Sequence, residues 1–286
     1  MRDLTNLQEA AQVTEAWEDY VRVKYTEKVK KDNSQFRDYE HAPTVVISFY
    51  KENHAKQSLS HVLSQKEKYG RLDKARMGIW EALEVLDTLV DESDPDTQMT
   101  QIMHALQSAE AARRDGQPRW MILCALIHDL GKYLYFLGEP QWTVVGDTYP
   151  VGCRFSSKIV YPRFFTANPD YGHKVYSTQF GIYTPHCGLQ NVHLSYGHDE
   201  YLYQVCKDYL PQEALYIIRY HSFYSCHQEG EYTWLMDDQD LQMMKWVKIF
   251  NQYDLYSKDE IEPDVNALKP FYQKLISEYF PAEICW

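Results

Sequence analysis

Apolar residues recur every three or four positions along most of the chain, the period of helices that bury one face. Leu7 to Val29 is amphipathic and ends in the basic run Lys28-Val29-Lys30-Lys31, so residues 1–35 are expected to form a helix or a loose arm. Val45 to Tyr69 predicts a helix with Val46, Phe49, Tyr50, Leu59, Val62 and Leu63 on its apolar side and Gly70 as its stop. Trp80 to Val90 predicts another, with Leu83, Leu86, Leu89 and Val90 inward, broken by the acidic Asp-Pro segment at 91–96. Met103 to Ala112 and Arg119 to Leu137 follow, joined at Asp115-Gly116-Gln117-Pro118. Further helices are expected over His198 to Tyr209, Pro211 to Tyr224, Asp238 to Tyr256 and Leu268 to Tyr279. Residues 138–196 break the pattern. They are rich in Gly, Pro, Tyr and Thr and hold short β-like runs such as Lys158-Ile159-Val160-Tyr161, so a long irregular insertion with a small hairpin is expected there. The fold class is therefore all-α, one domain, with one long functional loop region.

Composition narrows the partners. The 286 residues carry 29 basic and 41 acidic side chains, a net charge of −12, which argues against a nucleic-acid or anionic-membrane partner. Apolar residues make up 44% and aromatic residues 15%, enough for a sizeable core and too many for general disorder. The longest apolar run, Trp120 to Ile127, is far too short for a membrane span. The polar N-terminus has no secretory h-region, and the six cysteines include no C-x-x-C pair, so reduced thiols in a cytoplasmic protein are expected. The chain is expected to act as a monomer.

Two His-Asp dipeptides occur, His128-Asp129 and His198-Asp199, where this composition supplies about one by chance, so neither means much alone. The constellation is more specific. His104 lies one loop upstream of His128-Asp129, and His221 and Asp254 lie on later helices. Adjacent helix positions point about 100° apart, so His128 and Asp129 can aim two donors into one cavity between helices. A carboxylate can bridge two cations, and inward-facing His and Asp from several helices suit iron, manganese or zinc. Lys132 follows Asp129 by three positions and Lys258 follows Asp254 by four; either could answer negative charge on a substrate oxygen or simply be solvated. Gly146-Asp147 reads equally as a ligand-facing loop or an ordinary turn, and Ser222 puts a hydroxyl beside His221. His41, His54, His61, His173, His193 and His227 sit in polar contexts and are expected at the surface, and His186 is expected to bond to backbone.

His104, His128-Asp129, His198, His221 and Asp254 together resemble the metal site of the inositol oxygenases, a variant of the HD-domain superfamily. The likeness extends through Phe36-Arg37-Asp38-Tyr39, LVDESDPD at 89–96, HALQSAE at 104–110, LIHDLGK at 126–132 and GEPQWTVVGDTYPVGC at 138–153. It continues through PHCGL, GHDEY at 197–201, RYHSFY and FNQYDLYSK at 250–258. HDLGK also fits HD phosphohydrolases, whereas VGDTYPVGC, GHDEY and DLYSK look like the inositol oxygenase pattern. Ser58-Leu59, Ser60-His61, Gln190-Asn191 and Tyr196 depart from it, and none of these is a ligand position.

The resemblance implies an HD-type helical bundle over residues 36–286 and a mixed-valent Fe(II)/Fe(III) pair. His104, His128 and Asp254 would bind one iron, Asp129 would bridge, and His198 and His221 would bind the second, where the substrate docks. Arg37, Asp91, Glu92, Ser93, Lys132, Gly146, Asp147, His221, Ser222 and Lys258 match positions at or near the substrate, with Lys132 and Asp129 carrying the chemistry. The implied reaction is ring cleavage of myo-inositol by O2 to D-glucuronate and water. The competing enzyme is a metal-dependent HD phosphohydrolase, and the non-enzyme alternative is a polyol-binding protein with a structural metal.

Overall fold

The computed structural model describes residues 39, 42–89, 100–256 and 263–286. The expected N-terminal arm and the candidates Arg37, Asp91, Glu92, Ser93 and Lys258 lie outside the described residues, as do Val90 and His41. The body from Ala42 to Trp286 is a helical bundle. Helix α1 spans Thr44–Lys56 and α2 spans Leu59–Tyr69. The periodicity predicts one helix here, but Gln57 and Ser58 break it. The Ser58 hydroxyl caps α2 by accepting from the His61 amide. The Gln57 side chain donates to the Tyr196 carbonyl at 2.7 Å and accepts from the Tyr196 amide at 3.0 Å. The Gln57 side chain thus satisfies both backbone groups of Tyr196, far along the chain.

Helix α3 (Ile79–Leu86) buries Leu83 and Leu86, and Leu89 beyond its end is also buried. Helix α4 (Gln101–Arg114) packs along α5 (Arg119–Ile127) at the centre of the bundle. Every residue of α5 from Met121 to Ile127 is buried, which explains the all-round apolar sequence. The expected helix to Leu137 ends early: after Ile127 the chain tightens into a 3-10 helix over Leu130–Tyr135. A short helix α6 (Gln141–Val144) follows. Helices α7 (His198–Cys206), α8 (Gln212–Tyr220), α9 (Tyr224–His227), α10 (Asp238–Tyr256) and α11 (Val265–Ile276) complete the bundle.

The insertion at 138–196 is mostly irregular, as its composition predicts, yet it is packed. Tyr149, Val151, Cys153, Phe165, Leu189 and Leu194 are all buried. The run Lys158–Tyr161 forms no strand, because Tyr161 turns to φ 48° and Pro162 opens a 3-10 helix. The antiparallel two-stranded pairing lies elsewhere, between β1 (Arg76–Met77) and β2 (Ile284–Cys285). It fastens the C-terminus: Trp286 is fully buried and its indole donates to the Met77 carbonyl. All six cysteines are unpaired, and among the described residues no helix is long and apolar enough to cross a membrane.

Two histidines expected at the surface are buried. His227 approaches the His221 carbonyl at 2.8 Å. His54 stacks on Phe165 with ring centroids 4.0 Å apart, and its Nε2 meets the Val160 carbonyl at 2.6 Å. Their sequence neighbours are polar, but those neighbours are not their neighbours in space. His186, as expected, bonds to backbone, at the Met236 carbonyl.

Burial lowers the His54 pKa to about 4, partly offset by its bond to the Val160 carbonyl. The unfolded chain takes up this proton near pH 6.5 and the folded chain only near pH 4, so folding stability falls as pH drops through that window. The loss amounts to about 3 kcal/mol. Denaturant titrations at pH 7 and pH 4 on wild type and His54→Gln should show the wild-type advantage shrinking by that amount. Parallel pH curves for the two proteins would show that His54 titrates normally.

Candidate metal centre

Six side chains named by the sequence converge where the ends of several helices meet. His104 comes from the first turns of α4 and Asp254 from the last turn of α10. His128 and Asp129 occupy the junction between α5 and the 3-10 helix, where the winding changes and adjacent residues fan apart. His198 opens α7 and His221 ends α8. Gly131 makes the approach of the 3-10 helix to α7 possible. A Cβ there would overlap the His198 carbonyl oxygen and lie 2.8 Å from the His198 Cα.

The two oxygens of Asp129 face different partners. Oδ2 lies 3.7 Å from His104 Nε2 and 3.5 Å from His128 Nε2. Oδ1 lies 3.5 Å from His198 Nε2 and 3.8 Å from His221 Nε2. Asp254 Oδ1 closes the first group, 3.2 Å from His104 Nε2 and 3.4 Å from His128 Nε2. The donor atoms therefore form two pockets sharing one carboxylate, and each triad (His104, His128, Asp129; Asp129, His198, His221) is compact enough to hold a metal ion.

Backbone carbonyls orient the rings. Nδ1 of His128 meets the Ala125 carbonyl at 2.9 Å, that of His198 the Val144 carbonyl at 3.0 Å, and that of His221 the Ile218 carbonyl at 3.1 Å. A carbonyl can only accept, so each Nδ1 carries a proton and each ring turns its Nε2 toward the pocket. Phe250 covers the apolar side, edge-on to His128 and His221. The His104 side chain is 19% exposed and those of Asp129 and Asp254 12% each.

Such a cluster of acceptors draws in positive charge. For Asp129, burial would raise the pKa, but Lys132 and the imidazoles of His128, His221 and His198 outweigh it and hold the carboxyl well below its usual range. Asp254 is likewise depressed, its burial outweighed by His104 and His128. His104 and His221 move the other way. Burial lowers each, and the carboxylates more than compensate: Asp254 and Asp129 for His104, Asp199 and Asp129 for His221. Donors of imidazole and carboxylate in two adjoining pockets suit two first-row divalent or trivalent ions.

The pattern also has relatives. The family model described as myo-inositol oxygenase matches residues 44–286. The chain belongs to the myo-inositol oxygenase family. The inositol oxygenase of Dictyostelium discoideum is 47% identical over 268 residues, covering 90% of this chain and 92% of that protein. Inositol oxygenase 4 of Arabidopsis thaliana is 48% identical over 262 residues, 88% of this chain and 83% of its own. The inositol oxygenase of Sus scrofa is 47% identical over 263 residues, 90% and 93% respectively. All six candidate ligands of this inositol oxygenase family member fall inside the matched span.

The candidate substrate residues divide. Lys132 is buried and donates to Asp129 Oδ2 at 2.9 Å and to Gln101 Oε1 at 3.3 Å. Ser222 directly follows His221, and its hydroxyl lies 3.3 Å from His198 Nε2. Gly146 takes φ +95°, with Phe49 where a side chain would go, and aims the next residue inward. That residue, Asp147, is buried and accepts from the Tyr50 hydroxyl. Thr148, next along, donates its amide to the Ser222 carbonyl and its hydroxyl to Asp199.

Sequence reasoning missed several neighbours of the site. Gln101 meets Lys132, and the Tyr224 hydroxyl reaches Asp254 Oδ2 at 3.4 Å. Asp199 is the largest omission. It is almost fully buried between His198 and His221; the sequence held it in the second His-Asp dipeptide and in GHDEY, and neither gave it a role.

Proposed function

We propose that this site holds two iron ions, working as an Fe(II)/Fe(III) pair, and uses O2 to cleave the ring of myo-inositol to D-glucuronate and water. By family the protein is an oxidoreductase acting on myo-inositol. The single observation that carries the finer reading is the split of Asp129, one oxygen toward His104 and His128 and the other toward His198 and His221. Asp254 would complete the first ion's set and Asp129 would bridge. The His198–His221 pocket would take the polyol. When bound, the ions supply Lewis acidity toward a substrate hydroxyl and one-electron exchange with O2.

The chain's own residues then have definite tasks. Lys132 carries a proton and a positive charge within hydrogen-bond reach of Asp129 Oδ2, where it can stabilise an ionised substrate hydroxyl and return the proton. Ser222 and Asp147 offer a hydroxyl and a carboxylate to a ligand rich in hydroxyls. Such a ligand leaves costly unpaired groups wherever a partner is missing. Arg37, Asp91, Glu92, Ser93 and Lys258 are assigned to the same substrate shell. The packed insertion at 138–196 reaches the second pocket at Val144, whose carbonyl meets His198 Nδ1, and would help keep water from reactive intermediates. Residues 36–286 form the catalytic unit, a monomer in the cytoplasm.

Removing metal tests this directly. Chelated protein should form no glucuronate, and ferrous iron restored to two per chain under O2 should bring the activity back. Full activity in thoroughly chelated protein would overturn the assignment.

A further inference from the structure

Asp199 has no place in the ligand set, yet its carboxylate meets both imidazoles of the second pocket. Its Oδ1 lies 2.8 Å from His198 Nε2 and 3.3 Å from His221 Nδ1, and accepts from the Ser222 hydroxyl at 3.3 Å. Its Oδ2 accepts from the Thr148 hydroxyl at 3.0 Å and the Ser222 amide at 3.3 Å. The Asp199 side chain is 2% exposed. Three segments meet on it: the turn at 146–148, the start of α7 and the turn after α8. Two of these carry the second pair of imidazoles. The first and third carry the assigned substrate residues Asp147 and Ser222.

We propose that Asp199 is a positioning residue that couples substrate binding to occupancy of the second metal pocket. The inference rests on the two-ion reading given above and extends it to a residue outside the ligand set. The mechanism is geometric. The Nδ1–H of His221 is shared between the Ile218 carbonyl and Asp199 Oδ1, which fixes the ring plane and so the direction of Nε2. The other oxygen holds Thr148 and Ser222, so the same carboxylate fixes the loop that lies against the polyol. An asparagine could keep the bonds to Thr148 and the Ser222 amide through its oxygen. Its NH2 would then face the Nδ1–H of His221, donor against donor, and release the ring. The first pocket, built from His104, His128 and Asp254, has no part in this and should be untouched.

Anaerobic titration with ferrous ion alone, followed by metal analysis, separates the two pockets without any turnover. Wild type should bind two ions. Asp199→Asn should bind one ion as wild type does and the second at least about tenfold more weakly. Its KM for myo-inositol should rise, with kcat restored toward wild type at saturating iron. Thr148→Val deletes one hydroxyl and its bond to Oδ2, and should weaken the second ion about threefold. If Asp199→Asn fails to fold by circular dichroism, Thr148→Val decides alone. Variants that bind both ions with wild-type affinity and keep the wild-type KM would overturn the role of Asp199 while leaving the two-ion reading intact. Wild-type protein that binds a single ion would overturn both.

Discussion

Asp129→Asn should reduce glucuronate formation by at least about 100-fold, with the fold preserved. The reason lies in the two faces of one carboxylate. Both oxygens are within 3.8 Å of imidazole nitrogens on opposite sides, and Oδ2 also accepts from Lys132. An amide keeps the size but has one acceptor and one donor. Its NH2 would stand where an anionic oxygen faces two Nε2 atoms on one side, or displace the Lys132 ammonium on the other. One of the two pockets therefore loses its shared anionic ligand whichever way the amide turns. Outer-shell losses alone cost metal sites ten- to a hundredfold, and this is the group in contact. Rate assays at saturating iron and inositol, with metal content measured on the same sample, check the outcome. Near-wild-type turnover would show that Asp129 is not a shared ligand.

Gly131→Ala should be nearly as damaging, although residue 131 touches no ligand atom. The added methyl would overlap the His198 carbonyl oxygen and press on the His198 Cα. Both obstacles are backbone, so no side chain can swing aside. Either the 3-10 helix or the start of α7 must shift, and the first carries Lys132 while the second carries His198. Overpacking of this kind costs about 1–3 kcal/mol of stability. A displacement near 1 Å at the pocket costs on the order of 100-fold in rate. The expected result is a folded protein with lowered melting temperature, weak second-ion binding and little activity. Wild-type stability and activity would mean that the two elements do not pack this closely.

Most of the site is legible in the sequence because its chemistry is written in residue types. Few structural roles call for His and Asp on apolar helical faces, and the extended motifs from 126 to 153 and 197 to 258 reinforced the ligand set. The all-α class was legible from period alone. What escaped was set by contacts distant in sequence. The break at Gln57 depends on Tyr196, 139 residues away. His54 is buried because Phe165 and Val160 come to it from the insertion. The β-like run at 158–161 fails for a local reason, the left-handed Tyr161 before Pro162, while the true pairing joins residues 76–77 to 284–285. Asp199 escaped because a carboxylate beside a histidine is ordinary, and only the convergence of Thr148, His221 and Ser222 on it gives it a task.

The ion pair of Arg219 and Glu200 shows how the fold supports the chemistry from behind. Arg219 lies two residues before His221 and Glu200 two after His198, and the pair is buried with Nε and Oε2 2.7 Å apart. Lys66 of α2 adds a second cation to the same carboxylate at 2.9 Å. Burial would lower the Arg219 pKa, but Glu200 outweighs it and keeps the guanidinium charged. The helices that present the second pair of imidazoles are thus joined by a pair that is costly to break, because either partner alone would be a buried uncompensated charge.

The most direct measurement is oxygen consumption by iron-loaded protein on addition of myo-inositol, with D-glucuronate quantified in the same vessel. The two-ion site built on Asp129 predicts uptake of one O2 for each glucuronate formed, and neither uptake nor product without iron. Bound iron at two per chain with no oxygen uptake and no glucuronate, accompanied by phosphate release from phosphomonoesters, would contradict it.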